Sequence, residues 1–201
     1  KLPNHWYPLA FSKDLKNGEV KAVELFGDPY VLFRNQSGDV GLLEDRCPHR
    51  NVPLSEGFCD GGELRCAYHG WAFAPSGECT DIPCLARDFK GERRAAKSLP
   101  VRDDGCLIWG WPGEQPPEDE PRKPRSPGGD FSEVLHCVDM PGPLPAVIEN
   151  ALDVPHTRYL HAGMFRDDSS KNEIKLHISL DADKVEAFYE GEPRPSGIAG
   201  R

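Results

Sequence analysis

The sequence predicts a small all-β domain up to about residue 112, followed by the opening of an α+β domain. Short apolar segments alternate with turn residues in the first half, and the 20 glycines and 20 prolines leave little room for long helices. The stretch 112–130 contains no aliphatic or aromatic residue, so it is predicted to be a linker without a core. A helical segment and an alternating hairpin follow it. With 201 residues the chain is long enough for two small domains.

The predicted strands of the first domain are short and follow one another closely. The first three form an antiparallel meander, because short turn sequences such as Asn35-Gln36-Ser37-Gly38-Asp39 separate them. Two more are joined at Pro75-Ser76-Gly77, and a last apolar strand precedes the linker. The predicted strand segments are 20–26, 30–34, 40–44, two within 63–83, and 106–111.

The region after the linker mixes both kinds of element. We expect a strand over 131–140, then a helix from Leu144 to Leu152 with Pro145 in its first turn, where proline is tolerated. Segment 173–180 alternates apolar and polar residues, and 185–190 is its predicted hairpin partner. The predicted organisation is therefore a domain over 1–112, a linker over 113–130 and the N-terminal part of a second domain over 131–201.

Composition excludes several classes of function. The net charge is −9 and no Lys/Arg run is long enough for a nucleic-acid footprint. No apolar stretch approaches the roughly 20 residues of a membrane span, and no signal peptide is visible. The odd count of seven cysteines argues against a secreted disulfide framework. We expect a cytoplasmic protein, or a plastid protein if a transit peptide precedes Lys1.

The first group of candidate ligands is Cys47, His49, Cys66 and His69, in which 16 residues separate His49 from Cys66. Two thiolates and two imidazoles suit either a tetrahedral zinc ion or a [2Fe–2S] cluster with two cysteines on one iron and two histidines on the other. A Cys2His2 zinc finger keeps its cysteines together and its histidines together. Here each segment supplies one of each, which favours the dinuclear cluster.

The segments CPHR (47–50) and CAYHGW (66–71) resemble the cluster-binding loops of Rieske iron–sulfur proteins. The extra loop cysteines of the respiratory-chain proteins have no counterpart, so the pattern is similar to the Rieske domains of oxygenases and soluble ferredoxins. The resemblance implies that the four residues bind the cluster. We also expect Tyr68 and Trp71 to pack beside the second loop and Arg50 to tether the first.

The second group is Asn150, Asp153, His156 and His161. Two histidines and one carboxylate form the facial triad of mononuclear Fe(II) sites, which leaves positions open for O2 and substrate. An ideal α-helix would point side chains five residues apart about 140° away from each other. Pro155 also disfavours the α conformation in the residue before it. We therefore predict irregular backbone within 154–161, since only that lets His156 and His161 converge.

The spacing N-x-x-D-x-x-H-x-x-x-x-H resembles the iron-binding segment of Rieske non-haem iron oxygenase α subunits. The resemblance implies an α+β, helix-grip-like catalytic domain, with His156 and His161 as iron ligands and Asn150 near the iron. It also implies that Asp153 links His156 to His69 of a neighbouring subunit, which needs an oligomer, expected to be a homotrimer. The alternative, compatible with this role, is that Asp153 fixes the tautomer of His156. The third ligand should be a carboxylate far downstream, and Asp167, Asp168, Asp181 and Asp183 follow His161 too closely. We therefore expect the sequence to be a piece of a longer protein.

The predicted function is an oxygenase component. A reductase that draws on NAD(P)H, with a ferredoxin as a further donor, would supply electrons through the cluster to Fe(II), where O2 is activated. The substrate would be a small organic molecule, hydroxylated or oxidatively demethylated, because the spacing is more similar to the monooxygenase and demethylase branch than to ring dioxygenases. The alternatives are an electron carrier of the Rieske ferredoxin type and a zinc-binding structural module.

Overall fold

Antiparallel strands dominate the computed structural model, which describes residues 4–83, 94–121, 136–161, 174–181 and 185–191. The chain divides into two units, Lys1–Ser126 and Pro127–Arg201. The first unit contains ten strands within its described residues. They are β1 Tyr7–Phe11, β2 Val20–Leu25, β3 Asp28–Arg34, β4 Val40–Glu44, β5 Phe58–Asp60, β6 Glu63–Arg65, β7 Ala72–Phe73, β8 Cys79–Asp81, β9 Val101–Asp103 and β10 Leu107–Gly110.

The first unit is built from three antiparallel sheets. Their strand orders are β1-β10-β9, β2-β3-β4 and β5-β6-β7-β8. The predicted meander is confirmed, since Val20 of β2 pairs with Phe33 of β3 and Tyr30 of β3 pairs with Glu44 of β4. The segment predicted as two strands contains three short ones, β6 to β8, with the turn at Gly77 (φ 84°) as expected.

Strand β3 is the central strand of the β2-β3-β4 sheet, and its residues 30–33 are buried on both faces. Because side chains alternate along a strand, Val31 and Phe33 join one apolar cluster while Tyr30 and Leu32 join the other. The first cluster also contains Cys47, Leu54, Leu64, Cys66, Phe73 and Cys79. The cysteines of the candidate cluster site therefore belong to the main hydrophobic core.

A half-buried ion pair ties the sheets together at the end of β3. Arg34 Nη2 lies 2.6 Å from Asp103 Oδ2 on β9, and Ser12 Oγ donates to the same carboxylate at 2.8 Å. Ser12 opens the short 3-10 helix Ser12–Asp14 that follows β1. Burial alone would raise the pKa of Asp103, but hydrogen bonds from the Gly105 N–H, Arg34 and Ser12 outweigh it and lower the pKa below its usual value.

The second unit begins with an irregular segment and a helix. The strand expected over 131–140 is wrong for 136–140, which are exposed and form no ladder, while 131–135 lie outside the described residues. No sheet partner satisfies the backbone of 136–140, so its apolar side chains, such as Val138, stay exposed. Helix α1, Leu144–Leu152, has the predicted bounds and carries Pro145 in its first turn.

The hairpin of the second unit is confirmed. Strand β11, Lys175–Leu180, pairs antiparallel with β12, Val185–Glu190. Tyr189 Oη donates to the carbonyl oxygen of Leu152 at 2.9 Å, which joins β12 to the end of α1. Most side chains of the hairpin are exposed. In the described part of the chain, no helix has the length and apolar character needed to cross a membrane.

Candidate metal centres

Two loops with the same backbone geometry carry the first group of candidate ligands. One follows β4 and the other joins β6 to β7. In each loop the cysteine N–H donates to a carbonyl five residues ahead, Cys47 to Val52 at 2.8 Å and Cys66 to Trp71 at 2.9 Å. Each cysteine carbonyl accepts from an N–H four residues ahead, at Asn51 and Gly70. The two loops are therefore matched turns.

The fourth residue after each cysteine has left-handed backbone. Asn51 has φ 61° and Gly70 has φ 71°. Glycine adopts this conformation without strain, and asparagine tolerates it better than most other residues. Both loops thus reverse direction just after the candidate histidine. The left-handed positions could have been predicted from the sequence, because Asn51 and Gly70 tolerate this backbone and each stands four residues after its cysteine.

The two cysteine thiols lie together in the core. Cys47 and Cys66 are 2% and 3% exposed and belong to the same buried cluster. Burial, together with Cys66, raises the pKa of Cys47 to about 11, while the backbone N–H groups of His49 and Arg50 oppose the rise by donating to its sulfur. A cation that binds here must displace the thiol proton, and the N–H donors then stabilise the thiolate.

The two histidines of these loops form a second pair nearer the surface. The ring centroids of His49 and His69 are 4.7 Å apart. Burial, followed by the charges of His69 and Arg50, lowers the pKa of His49, which favours the neutral form that ligates metals. Trp71 stacks on the His49 ring at 4.7 Å with an interplanar angle of 4°, and so fixes the ring of the opposite loop.

The arrangement of ligands in pairs suits a dinuclear cluster. In the part of the chain that the structure describes, no three Cys, His, Asp or Glu side chains are grouped around one point as a mononuclear ion requires. The four side chains instead form a buried thiol pair and an outer imidazole pair. A [2Fe–2S] cluster with two cysteines on one iron and two histidines on the other needs this donor set.

Sequence reasoning missed three contacts around these loops. The side chain that bonds within the first loop is Arg46, whose Nε donates to Asn51 Oδ1 at 2.7 Å. We expected Arg50 in that role, but Arg50 contributes its backbone N–H to Cys47. Cys79 is buried near Cys47. Burial, and then the charge of Cys47, raises the pKa of Cys79 to about 11. Each contact joins residues through loop or strand geometry, which a linear pattern does not display.

The second group of candidate ligands lies at the end of α1. The helix ends at Leu152, Asp153 leaves helical backbone at φ −79° and ψ 75°, and a 3-10 helix covers Val154–Arg158. The predicted irregular backbone is therefore confirmed. The His156 carbonyl accepts from the N–H groups of Tyr159 and Leu160, which closes a turn. The turn brings the rings of His156 and His161 to a centroid distance of 5.4 Å.

Hydrogen bonding selects one tautomer of His156. Its Nδ1 contacts the backbone carbonyl oxygen of Asp153, which can only accept, so Nδ1 carries the proton. Nε2 then keeps its lone pair for a metal. The Asp153 carboxylate lies 3.8 Å from the same nitrogen and is largely exposed. Asn150 is exposed on the last turn of α1. Among the described residues no carboxylate completes a three-residue group with the two histidines.

Comparison with known proteins identifies the class. Residues 5–100 match the family model "Rieske [2Fe-2S] domain". The chain is 34% identical over 164 residues to the chloroplastic chlorophyllide a oxygenase of Arabidopsis thaliana, covering 82% of this chain and 30% of that protein. It is 34% identical over 195 residues to the 4beta-methylsterol monooxygenase of Methylococcus capsulatus, covering 93% of this chain and 51% of that protein.

Solved structures agree with this class. A crystal structure of dicamba monooxygenase is 35% identical over 55% of this chain and 33% of its own, with a TM-score of 0.51. Another crystal structure of dicamba monooxygenase, with 3,6-dichlorosalicylic acid bound, matches 92% of this chain and 55% of its own with a TM-score of 0.66. The two sequences are 22% identical, so this match shows a shared fold alone. The first unit carries a Rieske [2Fe–2S] domain. The chain as a whole is similar to oxygenases, and it spans about half or less of the length of these curated relatives.

Proposed function

We propose that this chain is the N-terminal part of a Rieske oxygenase α subunit that hydroxylates or oxidatively demethylates a small organic substrate. When bound, the Rieske cluster would supply one-electron transfer and the Fe(II) would supply O2 activation. A reductase that draws on NAD(P)H, directly or through a ferredoxin, would be the electron donor. The observation that carries the proposal is the pair of matched loops with their buried thiols and outer imidazoles.

The residues of the first unit would hold and orient the cluster. Cys47 and Cys66 would ligate the inner iron from the core, where water is excluded. His49 and His69 would ligate the outer iron, with His69 exposed to a partner. The Trp71 ring stacked on His49 would keep that imidazole in one orientation.

The residues of the second unit would bind the mononuclear Fe(II). His156 and His161 would be ligands, and the Nδ1 proton of His156, held by the Asp153 carbonyl, would leave Nε2 facing the metal. The exposed carboxylate of Asp153 would be free to meet His69 of a neighbouring subunit in a homotrimer. Asn150, one turn earlier, would lie near the iron. The domain boundaries at 112 and 130 and the α+β second domain belong to the same proposal.

Two kinds of support favour an oxygenase over an electron carrier. The alignment with the 4beta-methylsterol monooxygenase covers 93% of the chain, so it runs past residue 112 into the second unit. The relatives include a monooxygenase, an O-demethylase oxygenase subunit and a dioxygenase oxygenase subunit. The compartment stays a prediction: cytoplasmic, with a plastid as the alternative that the chloroplastic relatives favour.

Anaerobic reconstitution of the chain, followed by Fe(II) titration, tests the proposal. We expect two irons and two sulfides per chain in a cluster with a rhombic EPR signal after reduction, and one further Fe(II). His156→Ala should keep the EPR signal and lose the further Fe(II), whereas His177→Ala, at an exposed histidine of the hairpin, should keep both. Equal binding of the further Fe(II) by His156→Ala and the wild type would exclude His156 as a ligand. A colourless protein that binds zinc and no sulfide would contradict the whole proposal.

A further inference from the structure

An arginine directly precedes each candidate cluster cysteine and reaches forward along the loop. Arg46 Nε donates to the side-chain oxygen of Asn51 at 2.7 Å. Arg65 Nη1 donates to the backbone oxygen of Gly70 at 3.1 Å. Both acceptors belong to the fourth residue after the cysteine, which is the left-handed residue of its loop. The two loops therefore share a side-chain contact as well as a backbone pattern.

These contacts lie next to the candidate histidines. Gly70 directly follows His69, and Asn51 follows His49 by two residues. The left-handed residue sets the direction in which the loop turns back, so a bond that holds it also fixes how the preceding histidine leaves the backbone. A non-glycine residue such as Asn51 adopts this conformation at some cost in free energy, which a hydrogen bond offsets.

The side chain of Arg65 is held from several sides. Its Nε lies 2.8 Å from Asp60 of β5, and its Nη1 lies 2.9 Å from Asp81 of β8. The side chain is 22% exposed. A guanidinium oriented by carboxylates on two strands loses little freedom when it bonds Gly70 as well. The Arg46 contact is exposed by comparison, so its effect should be smaller.

We propose that Arg65 and Arg46 are positioning residues that hold the His69 and His49 loops in the geometry for cluster binding. In the described contacts of the two loops, each arginine side chain bonds Asn51 or Gly70 rather than a candidate ligand. They act through Gly70 and Asn51. The inference rests on the proposed function, because it concerns the cluster that this function requires.

The test uses the reconstituted full chain and measures iron release to a ferrous chelator, together with the EPR g values and midpoint potential of the reduced cluster. In Arg65→Gln we expect roughly tenfold faster release, the effect of losing one hydrogen bond to a charged group, and shifted g values. In Arg46→Gln we expect release about threefold faster. Asn51→Gly, which keeps the left-handed backbone and removes the Arg46 acceptor, should behave like Arg46→Gln.

Two variants serve as matched controls. Asp60→Asn removes an ion pair of Arg65 and leaves the Nη1 bond to Gly70, while Arg102→Gln removes an exposed ion pair with Glu120 outside the two loops. Both should release iron within about twofold of the wild type, since exposed ion pairs contribute little. If iron release becomes faster by the same factor in the control and test variants, the cause is a general loss of protein stability. That result would overturn the proposal.

The remaining outcomes distinguish a failure of this inference from a failure of the proposed function. Wild-type release and g values in Arg65→Gln would overturn the inference while leaving the cluster assignment intact. If Arg65→Gln does not fold, Arg46→Gln and Asn51→Gly decide, because their contact is exposed and its loss leaves the core unchanged. A wild-type chain that forms no Rieske cluster contradicts the proposed function itself, a result distinct from any difference between the variants.

Discussion

The two units form their candidate sites in different ways. In the first unit the ligands stand on loops whose ends are fixed by strands β4 to β7, and the thiols are part of the core. In the second unit the histidine pair arises from a local turn at the end of one helix, while the apolar side chains of the hairpin, such as Ile178 and Phe188, are exposed. The comparison teaches that the thiol pair depends on long-range packing and the histidine pair on nearby backbone.

The largest effect is expected at the buried thiols. Cys66→Ser should abolish the cluster, because a serine hydroxyl is a poor substitute for a thiolate on iron. Iron and sulfide analysis with EPR of the reduced protein provides the measurement. Cys106→Ser, at an exposed cysteine, is the control and should keep full cluster content. Retention of a normal Rieske signal in Cys66→Ser would refute the ligand assignment.

Core and hairpin substitutions should differ strongly in stability. Leu43→Ala removes a fully buried side chain of β4 and should lower the free energy of unfolding by about 2–5 kcal/mol. Leu180→Ala removes a side chain that is 73% exposed and should change it by about 0.5 kcal/mol or less. Urea denaturation of both variants checks the difference. Equal losses would mean that the hairpin is buried in solution and that the comparison of the two units fails.

A close approach of backbone connects the two cluster loops. A Cβ on Gly57, at the end of the first loop, would lie 2.1 Å from the carbonyl oxygen of Arg65, directly before Cys66. Gly57→Ala should therefore destabilise the first unit by about 1–3 kcal/mol and reduce cluster content. Gly62→Ala, where nothing lies within 4 Å of the new Cβ, is the control in the same sheet. Thermal unfolding and iron analysis provide the readouts. Identical behaviour of the two variants would contradict the pairing of β5 with β6.

The smallest effect concerns pH. The pKa of Asp103 is lowered in the folded state, so its stabilisation is present above the unfolded pKa and is lost as the pH falls through the folded pKa. Asp103→Asn should cost about 1–2 kcal/mol at neutral pH and make stability less dependent on pH below about 4. Urea unfolding at neutral and acidic pH measures both, with the exposed Asp14→Asn as control. Parallel pH profiles for Asp103→Asn and the wild type would rule out this role.

Strand positions and ligand candidates were accessible from the sequence. The meander and the helix Leu144–Leu152 follow from alternation, turn residues and the position of Pro145, all of which are local signals. The irregular turn before His161 was predictable because Pro155 restricts the residue before it. The strand expected over 131–140 was wrong for 136–140, since apolar residues such as Val138 suit a strand only when a partner strand is present.

The sequence by itself determined which side chains offer metal-binding chemistry and the kind of element that carries each of them. It did so because ligand type, spacing and turn residues are written in the linear pattern. Only the tertiary structure decided that Trp71 stacks on His49, that Cys79 lies beside Cys47, and that Arg46 rather than Arg50 bonds Asn51. These contacts depend on how paired strands and loops bring side chains together, and strand pairing is fixed by the whole core.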